Sequence, residues 1–291
     1  MRATYALLAS VLLLLTAGCG GEDDPGGSGL NGVVAAVPGD REVTAVDVAA
    51  VRRQLGLPED TGLPRRGKRP DPAQVTLLTT VAPALTFIRR VDRDDEFVDV
   101  GTLRQVATGG LRPEERVSAV RSADAPDQVL DRLADKGWDR DGDVMSREEG
   151  DPRYAAEGRD EVVVFANERD LLERAREGDA PGGRPRELVR SFGQPVRGAG
   201  VLELPVTCLE AYAYGEDAEP SRGRAVVVVD RTPDPAKMGR GQKLGAATLG
   251  AARADGRRVV SRYRGGRDFD RGLIGRRLFA ETLRFYALYR C

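Results

Sequence analysis

Two short runs, Glu161–Ala166 (EVVVFA) and Ala225–Asp230 (AVVVVD), are β-branched or apolar almost throughout. A strand with one wet face alternates polar and apolar residues, whereas a strand covered on both faces reads as a continuous run of this kind. The neighbourhood of the first run is the most legible part of the chain. Val117–Val120 reads as a strand, Pro126–Lys136 as a helix ended by Gly137, and Val144 as part of a strand. After the EVVVFA strand, Asn167 is placed to cap a helix over Glu168–Glu177 that Gly178 closes. Strand, helix, strand, strand, helix is half of a ferredoxin-like or related α+β sheet.

On the N-terminal side, Val33–Val37 reads as a short strand and Val46–Leu55 as a helix stopped by Gly56. A proline-rich loop over Pro58–Pro72 precedes an amphipathic helix over Ala73–Ile88, with Pro72 in its first turn. Residues 178–185 (GDAPGGRP) mark a boundary. Beyond it, Val201–Leu204 and Val206–Tyr214 are strand-like, and an acidic loop over Gly215–Ser221 leads into the AVVVVD strand. Helical patterns follow around Gln242–Arg253 and Leu273–Tyr289, with a strand over Arg258–Tyr263 between them. Ala125-Pro126-Asp127 and Thr232-Pro233-Asp234 each follow a strand, a faint internal echo. The expected fold is therefore α+β, with two related small subdomains over 33–178 and 179–291. Each is expected to be a mostly antiparallel sheet with packed helices.

The chain contains no histidine. That excludes Ser-His-Asp and Cys-His hydrolysis, His-ligated metals and imidazole proton shuttles. Asp139, Asp141 and Asp143 alternate as in the opening of an EF-hand loop, but Val144, Ser146 and Gly150 stand where its glycine, aliphatic residue and bidentate glutamate belong. A polar turn is the expectation there, with no metal. Gly239–Gly245 (GRGQKLG) lies nine residues past the AVVVVD strand rather than directly after it, so it reads as a loop and helix start, not a dinucleotide cradle. Carboxylate chemistry on glycans stays open, but no pair among the 46 acidic residues can be nominated. No catalytic residue and no cofactor is assigned.

The chain begins with Arg2, an apolar run over Tyr5–Leu15, and Leu15-Thr16-Ala17-Gly18-Cys19. The apolar run is shorter than the roughly 20 residues a transmembrane helix needs, which makes residues 1–18 an export signal. The five residues ending at Cys19 resemble the lipobox of bacterial lipoproteins. Residues 1–32 as a whole resemble the signal, lipobox and tether of exported lipoproteins of high-GC Gram-positive bacteria. That resemblance implies a diacylglyceryl group on Cys19, a Gly-rich tether over 19–32, and a place on the outer face of the cytoplasmic membrane. It carries no catalytic residues to the rest of the chain. Export also favours a disulfide between Cys208 and Cys291, with two buried thiols as the alternative.

The whole chain has a net charge of −1, yet residues 236–291 hold fourteen Lys or Arg against four acids. A charge asymmetry of this size is a statement about partners. Arg257, Arg258, Arg262, Arg264 and Arg267 are the expected members of a basic face that docks on phospholipid headgroups or anionic wall polymers; pairing with the acidic part of the same chain is the alternative. The functional expectation is a membrane-anchored, non-catalytic envelope interaction or ligand-binding module, with an envelope protein or wall polymer as partner and no nucleic acid. A carboxylate-dependent glycan hydrolase and a transporter's solute-binding component are the alternatives.

Overall fold

The computed structural model describes residues 30–39, 42–62, 71–85, 87–88, 98–110, 112–180, 184–192, 196–206, 209–217, 222–229, 242–244 and 247–265. Its helices are α1 (Asn31–Ala35), α2 (Val48–Leu55), α3 (Pro72–Val81), α4 (Pro126–Asp135), α5 (Arg169–Glu177) and α6 (Arg184–Ser191). Its strands are β1 (Glu42–Asp47), β2 (Leu103–Gly109), β3 (Val117–Ser122), β4 (Asp139–Asp141), β5 (Val144–Ser146), β6 (Tyr154–Glu157) and β7 (Val163–Ala166). The later strands are β8 (Val196–Val206), β9 (Leu209–Asp217), β10 (Arg222–Val229), β11 (Gln242–Leu244), β12 (Ala247–Leu249), β13 (Arg253–Asp255) and β14 (Arg258–Gly265).

All these strands join one antiparallel sheet in the order β11-β12-β14-β10-β9-β8-β1-β2-β3-β7-β6-β5-β4, with β13 paired to β14. The fold is thus α+β and mostly antiparallel sheet. β1–β7 occupy one contiguous half and β8–β14 the other, and the halves meet where β1 pairs with β8 from Glu42↔Leu202 to Val46↔Gly198. Outward from that seam the two strand orders match, β1-β2-β3-β7 on one side and β8-β9-β10-β14 on the other.

Two apolar clusters lie on opposite faces of this sheet. On the front face Val46, Val106, Val120 and Phe165 pack with Val51 of α2, Leu77 and Val81 of α3, and Leu130 and Leu133 of α4. On the back face Ala45, Ala119, Val164, Val201 and Val226 pack with Val33 and Val34 of α1, Leu172 of α5, and Leu188 and Phe192 near α6. This double cover is what the EVVVFA and AVVVVD runs require: Val163–Ala166 and Ala225–Val229 are buried at every position. Glycines let large rings lie against the sheet. A Cβ at Gly200 would stand 2.5 Å from the Tyr214 ring, one at Gly223 2.4 Å from that of Tyr263, and one at Gly215 2.5 Å from that of Phe192.

Several local readings hold. Gly56 and Gly178 close α2 and α5 in the left-handed conformation (φ 66° and 79°), and Pro72 opens α3 behind an Asp71–Gln74 capping box. Others are corrected. Val33–Val37, expected as a strand, belongs largely to α1, and Leu30–Gly32, assigned to the tether, are part of the packed body: Leu30 is buried. The segment is too short for its period to separate helix from strand. Gln242–Arg253, expected as a helix, forms β11, β12 and the start of β13 instead. The helix begun at Pro72 ends at Val81, where Pro83 stops propagation, rather than reaching Ile88. Asn167 does not cap α5, whose N-cap is Glu168; the Asn167 amide donates to Asp151 Oδ1 at 2.8 Å. The expected helix over Leu273–Tyr289 and the segment around Thr232-Pro233-Asp234 lie outside the described residues. Among the described residues no helix is long and apolar enough to cross a membrane.

Candidate functional site

β14 carries Arg258, Arg262 and Arg264 at even positions, which a strand of period two turns to one face. That is the back face, because the alternate residues Val259 and Tyr263 belong to the front cluster and Val260 packs on the back one. The neighbouring strand adds to the same face, since register sets Arg222 directly opposite Arg264 and Arg224 opposite Arg262. Arg262 and Arg264 are exposed and Arg258 is half-buried. None of their three side chains makes an ion pair or hydrogen bond with any described residue. Arg224 is held in place: its guanidinium donates to the Phe192 carbonyl just past α6 and lies 5.9 Å from the centroid of the Phe192 ring.

The other arginines of the expected basic face behave differently. Arg257 is taken up within the fold, donating through Nε to the Val229 carbonyl at 2.9 Å and pairing with Glu210. Arg267 lies outside the described residues, as do Cys19, Cys208 and Cys291. Arg257 and Arg258 line a cleft of about 490 Å³ together with Glu187, Glu210 and Asp255, so acids balance the charge at that end of β14. The opposite end, four residues or about 13 Å along the strand, carries Arg262 and Arg264. The pairs with Arg222 and Arg224 were not legible in the sequence, because nothing local to 222–224 tells which residues of β14 lie beside it.

On the front face of the same half lies a buried polar cluster. A β-bulge between Val196 and Gly198 turns Arg197 toward α2, where it donates to Gln54 at 2.6 Å and pairs with the equally buried Glu216. Tyr263 packs nearby, and burial together with the Glu216 charge holds its hydroxyl well above the usual phenol range. It is therefore neutral at physiological pH and unsuited to act as a base or nucleophile. The Arg197–Gln54 bond spans the two halves of the sheet, a structural role for this cluster.

A second cleft, about 440 Å³ on the N-terminal half, is lined by Asp143, Glu157, Arg159, Glu173, Arg176 and Glu177. Asp139–Asp141, expected within a polar turn, form strand β4, and Gly142-Asp143 turn the hairpin into β5. Its carboxylates are met by arginines of α5: Asp141 by Arg169 at 2.9 Å and Asp143 by Arg176. The Arg176 hydrogen bond holds the Asp143 carboxyl below its ordinary range. Glycoside hydrolysis needs one carboxyl raised to serve as acid. Asp47, whose carboxyl burial raises, caps α2 and lines neither cleft. Within the Gly239–Gly245 run, the described residues Gln242–Leu244 form strand β11 rather than a helix start.

No family model matches the chain, and no curated protein matches it. Among solved structures, it is similar to crystal form I of TP0453 at 10% identity, with 80% of this chain and 91% of that chain covered at a TM-score of 0.43. Crystal form IV of TP0453 is likewise similar at 10% identity, covering 82% of this chain and 94% of that one at a TM-score of 0.39.

Proposed function

We propose that this protein is a lipoprotein anchored through Cys19 to the outer face of the cytoplasmic membrane. Its role there is non-catalytic: to engage an anionic component of the envelope through the arginine-bearing face of β10 and β14. The observation that carries this reading is the exposed pair Arg262 and Arg264, left without an acidic partner among the described residues. An unneutralised cluster of this kind costs stability through like-charge repulsion and is useful where an anion is available. The matching strand orders on either side of the β1–β8 seam support the finer reading of the fold as two related subdomains, 33–178 and 179–291.

Cells fed an alkyne-tagged fatty acid should incorporate label into the wild-type chain and none into Cys19→Ser, which should appear in the medium or the soluble fraction. A Cys19→Ser chain that still carries label and still sediments with membranes contradicts the anchor.

A further inference from the structure

The two halves of the sheet allow a direct comparison of equivalent positions. Counting outward from the central seam pair Thr44↔Gly200, one path runs through Thr108 and Ser118 to Phe165, the other through Tyr214 and Ala225 to Ser261. One step further along each strand, the pair Val117↔Ala166 in the first half corresponds to Arg224↔Arg262 in the second. Val117 and Ala166 are fully buried among residues of α1 and α5. Apolar residues thus satisfy the fold at this place, and the arginines are a property of the second half alone.

Arg224↔Arg262 and Arg222↔Arg264 are successive cross-strand pairs on one face. Side chains so paired start from Cβ atoms about 5 Å apart, and the two rows are about 7 Å apart along the strands. The two exposed guanidinium groups of Arg262 and Arg264, with Arg222 and Arg224 adding positive charge beside them, suit a phosphate. The planar forks of Arg262 and Arg264 can each donate two parallel hydrogen bonds to phosphate oxygens, while Arg224 stays on the Phe192 carbonyl, and an anion beside the rows offsets their mutual repulsion.

The position of the chain's point of entry selects the source of the phosphate. Leu30 is buried against the back face, and α1 packs beside α6 there. Arg224 reaches the end of the α6 segment on that same face. Ten residues lie between Cys19 and Leu30, and the Gly-rich tether that the lipoprotein reading implies reaches about 17 Å at that length. An acylated Cys19 therefore delivers this face, rather than the front one, toward the lipid.

We propose that the Arg222–Arg264 and Arg224–Arg262 pairs form a docking surface for the phosphates of anionic phospholipid headgroups, fixing the orientation of the tethered body on its own membrane. This rests on the reading above that the basic face engages an anionic envelope component. It adds the residues, the ligand group and the source.

The test is co-sedimentation of the signal-free, unacylated Cys19→Ser chain with phosphatidylcholine vesicles, with and without phosphatidylglycerol, at low and high salt. The expected result is binding that requires phosphatidylglycerol and weakens with salt. In Arg262→Gln/Arg264→Gln it should fall roughly twenty- to thirty-fold, from about fivefold for each cation removed near an anionic surface. Arg112→Gln/Arg140→Gln, which removes the same charge from exposed positions of the other half, should bind as wild type. Arg262→Lys/Arg264→Lys, which keeps the charge without the planar fork, should bind between wild type and the glutamine variant and so excludes misfolding as the cause. Equal loss in both glutamine variants, or binding indifferent to phosphatidylglycerol, overturns the proposal. Salt-sensitive binding to a soluble glycerol-phosphate polymer with none to vesicles overturns the lipid source while leaving the anionic reading standing. Binding to neither overturns both.

Discussion

Arg52 has no exposed surface and, among the described residues, no acidic partner in contact, yet it carries its charge into the front of the sheet. It does so by donating to three backbone carbonyls, Thr61 at 3.2 Å, Leu103 at 2.7 Å and Val100. These tie the loop after α2 and the approach to β2 onto one helix. Burial lowers its pKa without removing the charge. Arg52→Ala strands all three acceptors, and hydrogen bonds from a charged donor contribute about 1.5–3 kcal/mol each. Chemical denaturation should register a loss of about 3–5 kcal/mol, with Arg52→Lys intermediate because one ammonium cannot reach three separated carbonyls; an unchanged midpoint in the alanine variant contradicts the assignment. At this scale the sequence was readable where the backbone alone sets the rule, as at Gly56, Gly178 and Pro72. It was silent on Arg52 and Arg197, since a buried arginine is made tolerable by carbonyls and carboxylates far away in the chain.

Elements were legible where propensity and burial agreed. The AVVVVD and EVVVFA strands and the amphipathic α4 and α5 follow from pattern, whereas α1 and β11–β13 are short pieces whose state is decided by what they pack against. The junction of β1 and α2 shows how such a decision is made. Asp47 ends the strand and caps the helix, accepting from the Ala50 amide at 2.8 Å. Burial nevertheless pushes its carboxyl above the ordinary value of 3.8, against the pull of that amide, of Arg53 and of Gln105. A carboxyl raised in the folded state binds its proton more tightly there than in the unfolded chain, so its contribution to stability declines as pH rises through the raised value. Asparagine caps equally well without the charge. Asp47→Asn should therefore be the more stable form at neutral pH, and urea unfolding at a series of pH values should find the difference vanishing as pH falls below the unfolded value. A gain that persists undiminished into acid contradicts this account of Asp47.

At the scale of the whole molecule, antiparallel strands with short connections extend one sheet through two halves, and Arg197 bridges them by bonding Gln54 of α2 and Glu216 of β9. The basic C-terminal stretch was visible as composition, but its division was not. Glu210 takes up Arg257, while β10 supplies the two arginines that complete the rows with Arg262 and Arg264. Pairing of distant strands produced that arrangement, and no local pattern encodes it. The proposed orientation, a body anchored through Cys19 with its β10–β14 face turned to the lipid, can be measured in the acylated protein reconstituted into phosphatidylglycerol-containing vesicles. A fluorophore attached at position 248, which register sets beside Arg264, is compared with one at position 140 on β4 at the far edge of the sheet, using a headgroup-attached quencher. Strong quenching is expected at 248 and weak quenching at 140; equal quenching at both, or the reverse order, rules this orientation out.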